Sequence, residues 1–471
     1  MNREDLFGLD SGFISKQVVN LVCGFVQKKY SIGTHIPKLK STPLKLLPGL
    51  DLVSDSGVNQ IEKGLIIGSI RMGYAHLRIA ASLHSHSLKN NSVTYLYDLL
   101  NTQSPESKAI ADIENLYRYF SNLGSELGGP LEWVWGQMMS QGNLTSLELS
   151  CSLADLYKNT MADLPKDSPF ISTYPLVGQI AVKNKFKHVV HLICDNFPQY
   201  YLLVPGALNL VQSPSAYTKF LQMGVPKENL AVAGHWVPEN IMTSAVTDSE
   251  DRVRRIDAKK IRRFLLPMDG IYTQKKYIIE LIHLTKYKLL DKKISYWICT
   301  NDHNTILSDL EKCLIVEKIP YLVVSSWEAL KHFIQNHPLR SDELETSPPV
   351  VLFHFENHME TIVATEKLIR IADVLITKPS ELTFYPIPKI FMRRVGDHEA
   401  SSVVRSLELG EGSIECREPE HAKELIQIFS KSEDLLLRMN ESVIKNTLEG
   451  VYNGCKVAVE MALSRDGGSE F

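Results

Sequence analysis

Three stretches of this sequence carry residue types that can do chemistry. In the first, IIGSIRMGYAHLRIAASLHSH (Ile66 to His86), Gly68 and Gly73 bracket a loop after an apolar strand, and Gly73-Tyr74-Ala75-His76 opens a helix. Backbone N–H groups and the helix dipole at such a start favour an anion or a polar hydroxyl. The glycine spacing is neither GxGxxG nor a Walker loop, so a tight connection with His76 capping or packing stays open beside it.

The second stretch, 191–238, holds Asp195 at the carboxyl end of a strand, where active-site residues of open α/β sheets gather. A helix N-cap is the alternative use of that aspartate. In the third, 372–412, a strand ends at Thr377-Lys378-Pro379, Ser380-Glu381-Leu382-Thr383 begins a helix or turn, and Gly396-Asp397-His398-Glu399 precedes an amphipathic helix. Two helix starts at strand ends suit a nucleotide diphosphate, with phosphates on backbone N–H groups and ribose hydroxyls on a carboxylate.

The elements that position these residues alternate. Strand candidates at 64–70, 92–99, 188–194, 208–213 and 230–234 are separated by amphipathic stretches, and a second series follows at 263–268, 293–300, 321–326, 350–355, 374–377 and 388–393. This is the rhythm of parallel sheets built from βαβ units. The charged run 245–260 is the candidate boundary between two halves. Residues 14–28 are expected to be helical, with Ile14, Val18, Leu21, Val22 and Phe25 near one face, and the proline-broken, lysine-bearing stretch after them reads as a connecting arm. Two closing helices are expected over 419–431 and 433–463. The domains so drawn are an arm at 1–62, a first Rossmann-like domain at 63–245, a second at 255–440, and a closing helix at 441–466.

Composition narrows the classes. The 471 residues are 44% hydrophobic and 22% charged, with a formal net charge of -3, which gives no support for a nucleic-acid binder. Seven dispersed cysteines without a CxxC pair fit a reduced cytosolic protein better than a disulfide framework or a zinc ribbon. The first residues lack the apolar core of a signal peptide, and no window approaches a membrane span. His354, Glu356 and His358 in HFENH resemble a scrambled HExxH on one strand face, where a structural or loop role is the better reading. Trp133 and Trp135, near Met138 and Met139, are either core or an interfacial patch.

In this order, the stretches resemble the GT-B glycosyltransferases of the monogalactosyldiacylglycerol synthase and diacylglycerol glucosyltransferase group. Those families carry a glycine run ending in His-Arg-Ala-Ala, similar to His76-Leu77-Arg78-Ile79-Ala80-Ala81. Their aspartate-led segment is similar to Asp195 through Val237, and their "ADxxITKPGGLT" and "GQE" motifs are similar to 372–383 and 396–412. PMDGIYTQ (267–274) and ICTNDHN (298–304) stand where they have "GGAGAQ" and "cGrNekl". The likeness spans roughly residues 63–460. Ser380-Glu381 replaces their Gly-Gly, and Phe384-Tyr385-Pro386 replaces the acidic pair that follows.

The resemblance implies an α/β GT-B fold: two Rossmann-like domains facing across a cleft, with a C-terminal helix returning to the first. It implies inverting transfer of a hexose from a UDP-sugar to a diacylglycerol-like acceptor, by a cytoplasmic enzyme peripherally bound to the membrane. His76 then acts as general base or orients the acceptor hydroxyl, a duty that an ordinary imidazole pKa of ~6.5 suits. Asp195 is the alternative base or the partner of His76. Gly270, Thr273, Gln274, Lys378, Ser380, Glu381, Thr383, His398 and Glu399 surround the donor, while Gly73, Trp133 and Trp135 lie on the acceptor and membrane side. No metal or other cofactor is expected. A UDP-sugar epimerase of the same architecture, or a catalytically silent relative, is the alternative, the second being favoured by the altered glycine and acidic positions.

Overall fold

The computed structural model describes residues 6–71, 74–90, 93–112, 144–268, 272–301, 304–341, 348–431 and 434–464. The chain forms two parallel-sheet α/β, Rossmann-like domains: Met1–Pro238 with Asn453–Phe471, and Glu239–Tyr452.

The first domain holds strands β1 (Lys40–Pro43), β2 (Leu50–Ser54), β3 (Leu65–Ser69), β4 (Thr94–Asp98), β5 (Phe170–Ser172), β6 (Val189–Leu192), β7 (Leu208–Val211) and β8 (Leu230–Val232). Their order across the sheet is β1-β2-β4-β3-β5-β6-β7-β8, parallel except for the β1–β2 pair. Helices α1 (Phe13–Tyr30), α2 (Ala75–Ser87), α3 (Leu144–Leu156), α4 (Pro175–Lys183) and α5 (Pro214–Gln222) belong to this domain. Every residue of β3 and β4 is buried, which explains why these strands read as continuous apolar runs rather than alternating ones. Gly68 lets β3 lie against its neighbour: a Cβ there would come within 2.4 Å of the Phe170 ring. The expected connecting arm is corrected here, because it supplies β1 and β2. Its prolines sit where a sheet tolerates them, Pro43 ending the edge strand and Pro48 in the connecting turn.

The second domain holds β9 (Arg262–Pro267), β10 (Ile294–Asn301), β11 (Tyr321–Val324), β12 (Val350–His354), β13 (Val374–Thr377), β14 (Lys389–Met392) and β15 (Gly412–Cys416), all parallel, in the order β11-β12-β10-β9-β13-β14-β15. Its helices are α6 (Glu239–Asp257), α7 (Tyr272–Leu290), α8 (Asn304–Glu317), α9 (Trp327–Asn336), α10 (His358–Ile369), α11 (Ala400–Glu408), α12 (Pro419–Lys431) and α13 (Asp434–Leu448). The charged run 245–260 forms most of α6 instead of a link. Its arginines are buried: Arg252 donates to the carbonyls of Ala372 and Ile369 at 2.8 and 2.9 Å, and Arg255 pairs with Asp373 at 2.9 Å. Burial raises the Asp373 carboxyl, but the Arg255 guanidinium outweighs it and holds the acid below its ordinary range.

The last helix differs from expectation in a useful way. The stretch 433–463 breaks after α13, where Gly450 takes a left-handed φ of 80° and the Val451 N–H caps onto Asn446. A separate helix, α14 (Gly454–Leu463), then packs on α2 of the first domain. Gly454 makes this possible: its N–H donates to the His235 carbonyl at 3.1 Å, and a Cβ would lie 2.4 Å from the Gly234 carbonyl oxygen.

Candidate functional site

Each sheet has one place where successive connections leave in opposite directions, and ligands of open α/β sheets bind outside the carboxyl ends of the strands there. In the first domain β3 connects towards β4 on one side while β5 lies on the other, so the switch point is the β3–β5 pair. In the second it is the β9–β13 pair. Among the sequence-predicted residues, His76 falls at the first and Lys378 at the second.

At the first switch point, β3 ends in Ser69 and β5 in Ser172. Thr173 ties them together, its N–H donating to the Gly68 carbonyl at 2.9 Å and its hydroxyl to Ser69 Oγ at 3.0 Å. The Thr173 carbonyl in turn accepts from His76 Nδ1 at 2.7 Å, and the Tyr174 ring meets the imidazole edge-on at 5.0 Å. A carbonyl can only accept, so the Nδ1 proton is fixed and the Nε2 lone pair is the basic position. His76 lies in the first turn of α2 and keeps partial exposure. Burial among protein atoms pushes its pKa down to about 4 against the opposing Thr173 bond. The imidazole is therefore neutral at physiological pH. The open alternative, a helix-capping His76, is removed: Tyr74 occupies the N-cap and makes no side-chain cap bond.

Sequence reasoning missed three neighbours of this point. Asp98 ends β4 and accepts the Arg71 and Leu100 N–H groups at 3.2 and 3.0 Å, with burial raising its pKa. His191 lies buried in β6, donates Nε2–H to the Leu202 carbonyl at 2.9 Å, and is pushed by burial down to about 3. Thr173 itself follows β5, a three-residue strand too short to stand out. Asp195 lies three residues beyond β6 and is partly exposed. No helix starts there, so its helix-cap reading fails. The neighbouring Asn196 instead accepts the Ser213 hydroxyl at 2.6 Å, and Ser213 caps α5.

At the second switch point, β9 leads through Met268 to α7, and β13 leads into Lys378. Lys378 and Glu399 are brought together, but onto each other, at 3.3 Å. The other Glu399 oxygen accepts the Val395 N–H at 2.7 Å, so this buried carboxylate pins the two turns together and is not an open partner for a ribose. The expected helix at 380–383 is corrected to a single 3-10 turn, Glu381–Phe384, whose apolar Leu382 and Phe384 are buried. One short turn carries little dipole. The Ser380 N–H bends back to the Lys378 carbonyl at 2.8 Å, and the buried Thr383 hydroxyl meets no acceptor among the described residues. The His398 ring lies over Gly396, and a 3-10 turn ending at Glu399 precedes α11. Gln274 is buried and Thr273 lies in the first turn of α7. Gly73, Gly270, Trp133 and Trp135 lie outside the described residues.

HFENH is also corrected: the strand ends at His354, and Asn357 caps α10, so the two histidines share no strand face. His354 joins a polar group at the carboxyl ends of β10 and β12, with Nδ1 at 3.0 Å from Thr300 Oγ1 and Nε2 at 3.0 Å from Asn304 Oδ1. The carboxyl edge of the second sheet thus carries hydroxyl, amide, imidazole and ammonium groups. Among the described residues no cluster of His, Cys, Asp or Glu fits a metal ion.

The fold defines a two-domain α/β protein with polar side chains at the switch point of each Rossmann-like sheet. Residues 225–463, just over half of the chain, match the family described as domain of unknown function (DUF6938), and the chain belongs to that family. Residues 26–222 match a second, domain of unknown function (DUF6937). No curated protein matches the sequence. Among solved structures, the UDP-GlcNAc 2-epimerase from Neisseria meningitidis bound to UDP-GlcNAc is similar at TM-score 0.46 and 11% identity, over 85% of this chain and 99% of that one. HepE from Anabaena, in complex with UDP and glucose, is similar at 0.42 and 11%, over 85% and 100%. The alpha,alpha-trehalose 6-phosphate synthase from Burkholderia multivorans is similar at 0.44 and 10%, over 86% and 99%. Scores and identities this low leave the functional argument to the chain's own residues.

Proposed function

We propose that this protein is a glycosyltransferase of the GT-B type, transferring a hexose from a UDP-sugar to a lipid hydroxyl such as that of diacylglycerol, with inversion. The observation that supports the reading is that His76 bonds to Thr173 across the β3–β5 switch point and Lys378 follows β13 at the β9–β13 switch point.

In this reading the second domain takes the nucleotide diphosphate. The turns at 378–383 and 396–399 border the phosphates, and the Lys378–Glu399 pair holds these turns in place. The first domain takes the acceptor. His76 Nε2 accepts the hydroxyl proton as the acceptor oxygen bonds to the anomeric carbon; the bond from that carbon to the phosphate oxygen breaks, and UDP leaves with the electron pair. The Thr173 carbonyl keeps the tautomer correct throughout and stabilises the imidazolium as it forms. A base held down at about 4 is weak at rest, so its effectiveness depends on the developing charge of the departing phosphate. No metal or other cofactor takes part, and the protein works at a cytoplasmic membrane surface.

The experiment is incubation with labelled UDP-glucose or UDP-galactose and diacylglycerol-containing vesicles, followed by lipid extraction. A labelled glycolipid that requires the protein supports the reading and names the donor. Absence of product together with absence of UDP binding by calorimetry rejects it.

A further inference from the structure

Helix α1 has two apolar faces and only one of them is used. Ser15, Val19, Val22 and Val26 are buried, the valines in the first domain's core, and Ser15 Oγ donates to Thr145 Oγ1 on α3 at 2.6 Å. Ile14, Val18, Leu21 and Phe25 recur at i, i+4, i+7 and i+11, a second stripe beside the first. Three of the four point to solvent: Ile14 is 77% exposed, Leu21 72% and Phe25 53%. Such a row of large exposed side chains on one helix marks a surface awaiting a partner.

The charge of the helix and the segment after it says which partner. Residues 11–50 contain Lys16, Lys28, Lys29, Lys38, Lys40 and Lys45 and no aspartate or glutamate, in a chain whose net charge is -3. All six lysines are exposed. Lys16 meets Asp10, just outside this stretch, at 2.8 Å. Lys28 and Lys29 follow Phe25 within a turn and flank the end of the stripe. An apolar stripe edged by lysines matches the boundary of an anionic bilayer, where alkyl groups enter the acyl region and ammonium groups meet phosphates. A second copy of this chain would instead oppose lysines to lysines. No helix among the described residues is long and apolar enough to cross a membrane, so α1 would lie on the surface.

The geometry points to α1 as the element that docks this protein on an anionic lipid surface, through Ile14, Leu21 and Phe25 with Lys28 and Lys29 at the end of the stripe. This deepens the lipid-acceptor reading and rests on it for its purpose, while the binding itself needs no transferase activity.

The test is co-sedimentation of the full chain with vesicles of phosphatidylglycerol and phosphatidylcholine, against phosphatidylcholine alone. The wild type is expected to pellet with the anionic vesicles and to be released as salt rises to about 0.5 M. Leu21→Gln with Phe25→Gln is expected to weaken partition by about tenfold or more while circular dichroism stays unchanged, since both positions are exposed. Lys28→Glu with Lys29→Glu provides a second variant with the apolar stripe intact and the same expected loss. Equal binding to neutral vesicles, unaltered binding by both variants, or no vesicle binding with dimerisation lost in Leu21→Gln/Phe25→Gln would each overturn the assignment. The vesicles carry neither nucleotide sugar nor acceptor, so vesicle binding without sugar transfer leaves this inference standing while the transferase reading fails.

Discussion

Acidification should destabilise the first domain through two histidines that the fold keeps neutral. His191 and His76 are pushed by burial to about 3 and about 4, whereas an unfolded histidine titrates near ~6.5. Between those values the unfolded chain binds more protons than the folded one, so stability is full above pH ~6.5 and falls with pH below it. At pH 5 the unfolded imidazole is about 1.5 units below its pKa, which costs about 2 kcal/mol for each histidine, or about 4 kcal/mol together. His191→Gln keeps a donor for the Leu202 carbonyl and removes one titration. Its loss from pH 7.5 to pH 5 should then be about 2 kcal/mol smaller than the wild type's, about thirtyfold less acceleration of exchange. The assay is hydrogen exchange of peptides covering β5 and β6 at the two pH values, corrected for intrinsic rates. Asp98, raised by burial, and His84, lowered by it, are common to both proteins and cancel in the comparison. Equal acid sensitivity in wild type and variant would refute the reasoning.

Other substitutions probe the second domain and the returning helix. Lys378→Met leaves the buried Glu399 carboxylate without its ammonium and should cost about 3–5 kcal/mol in denaturant unfolding, most of it recovered by adding Glu399→Gln. Asp373→Asn leaves Arg255 buried without its counter-charge and removes an acceptor from the Arg263 N–H; a loss of about 3–5 kcal/mol is expected, confined to the second domain by exchange. Gly454→Ala drives a Cβ into the Gly234 carbonyl, where backbone cannot yield, and should cost about 1–3 kcal/mol with faster exchange in α14. An unchanged melting temperature for Gly454→Ala would mean that α14 does not need its close approach.

Legibility followed burial and length. Strands such as β3, β9, β10 and β12 are buried throughout and announced themselves as apolar runs, and β13 was read to the residue. Strands β1, β2, β5 and β15 were missed: β1 ends on Pro43, β2 follows a stretch broken by Pro43 and Pro48, β5 has three residues, and β15 opens on Gly412 with Ile414 facing solvent. The turn after β13 was placed correctly, but the bonding within it was not foreseen. Sequence spacing set Lys378 and Glu399 beside a ligand, and only the fold reveals that they bind each other across 21 residues. Thr173, which fixes the tautomer of His76, acts through its carbonyl, a group every residue has, so nothing in the sequence could have singled it out. The stripe on α1 was seen as one face. Its apolar residues divide into two faces because the valines, one position along, turn inwards.

The central claim is that His76 takes the acceptor proton in a sugar transfer driven by a UDP leaving group. The measurement is the initial rate of hexose transfer from labelled UDP-sugar to diacylglycerol vesicles by wild type and His76→Asn, with both melting temperatures determined. The account predicts product from the wild type and a rate about 10²–10⁴-fold lower from the variant, whose amide can still donate to the Thr173 carbonyl and preserve the fold. Transfer that survives His76→Asn undiminished would contradict the account.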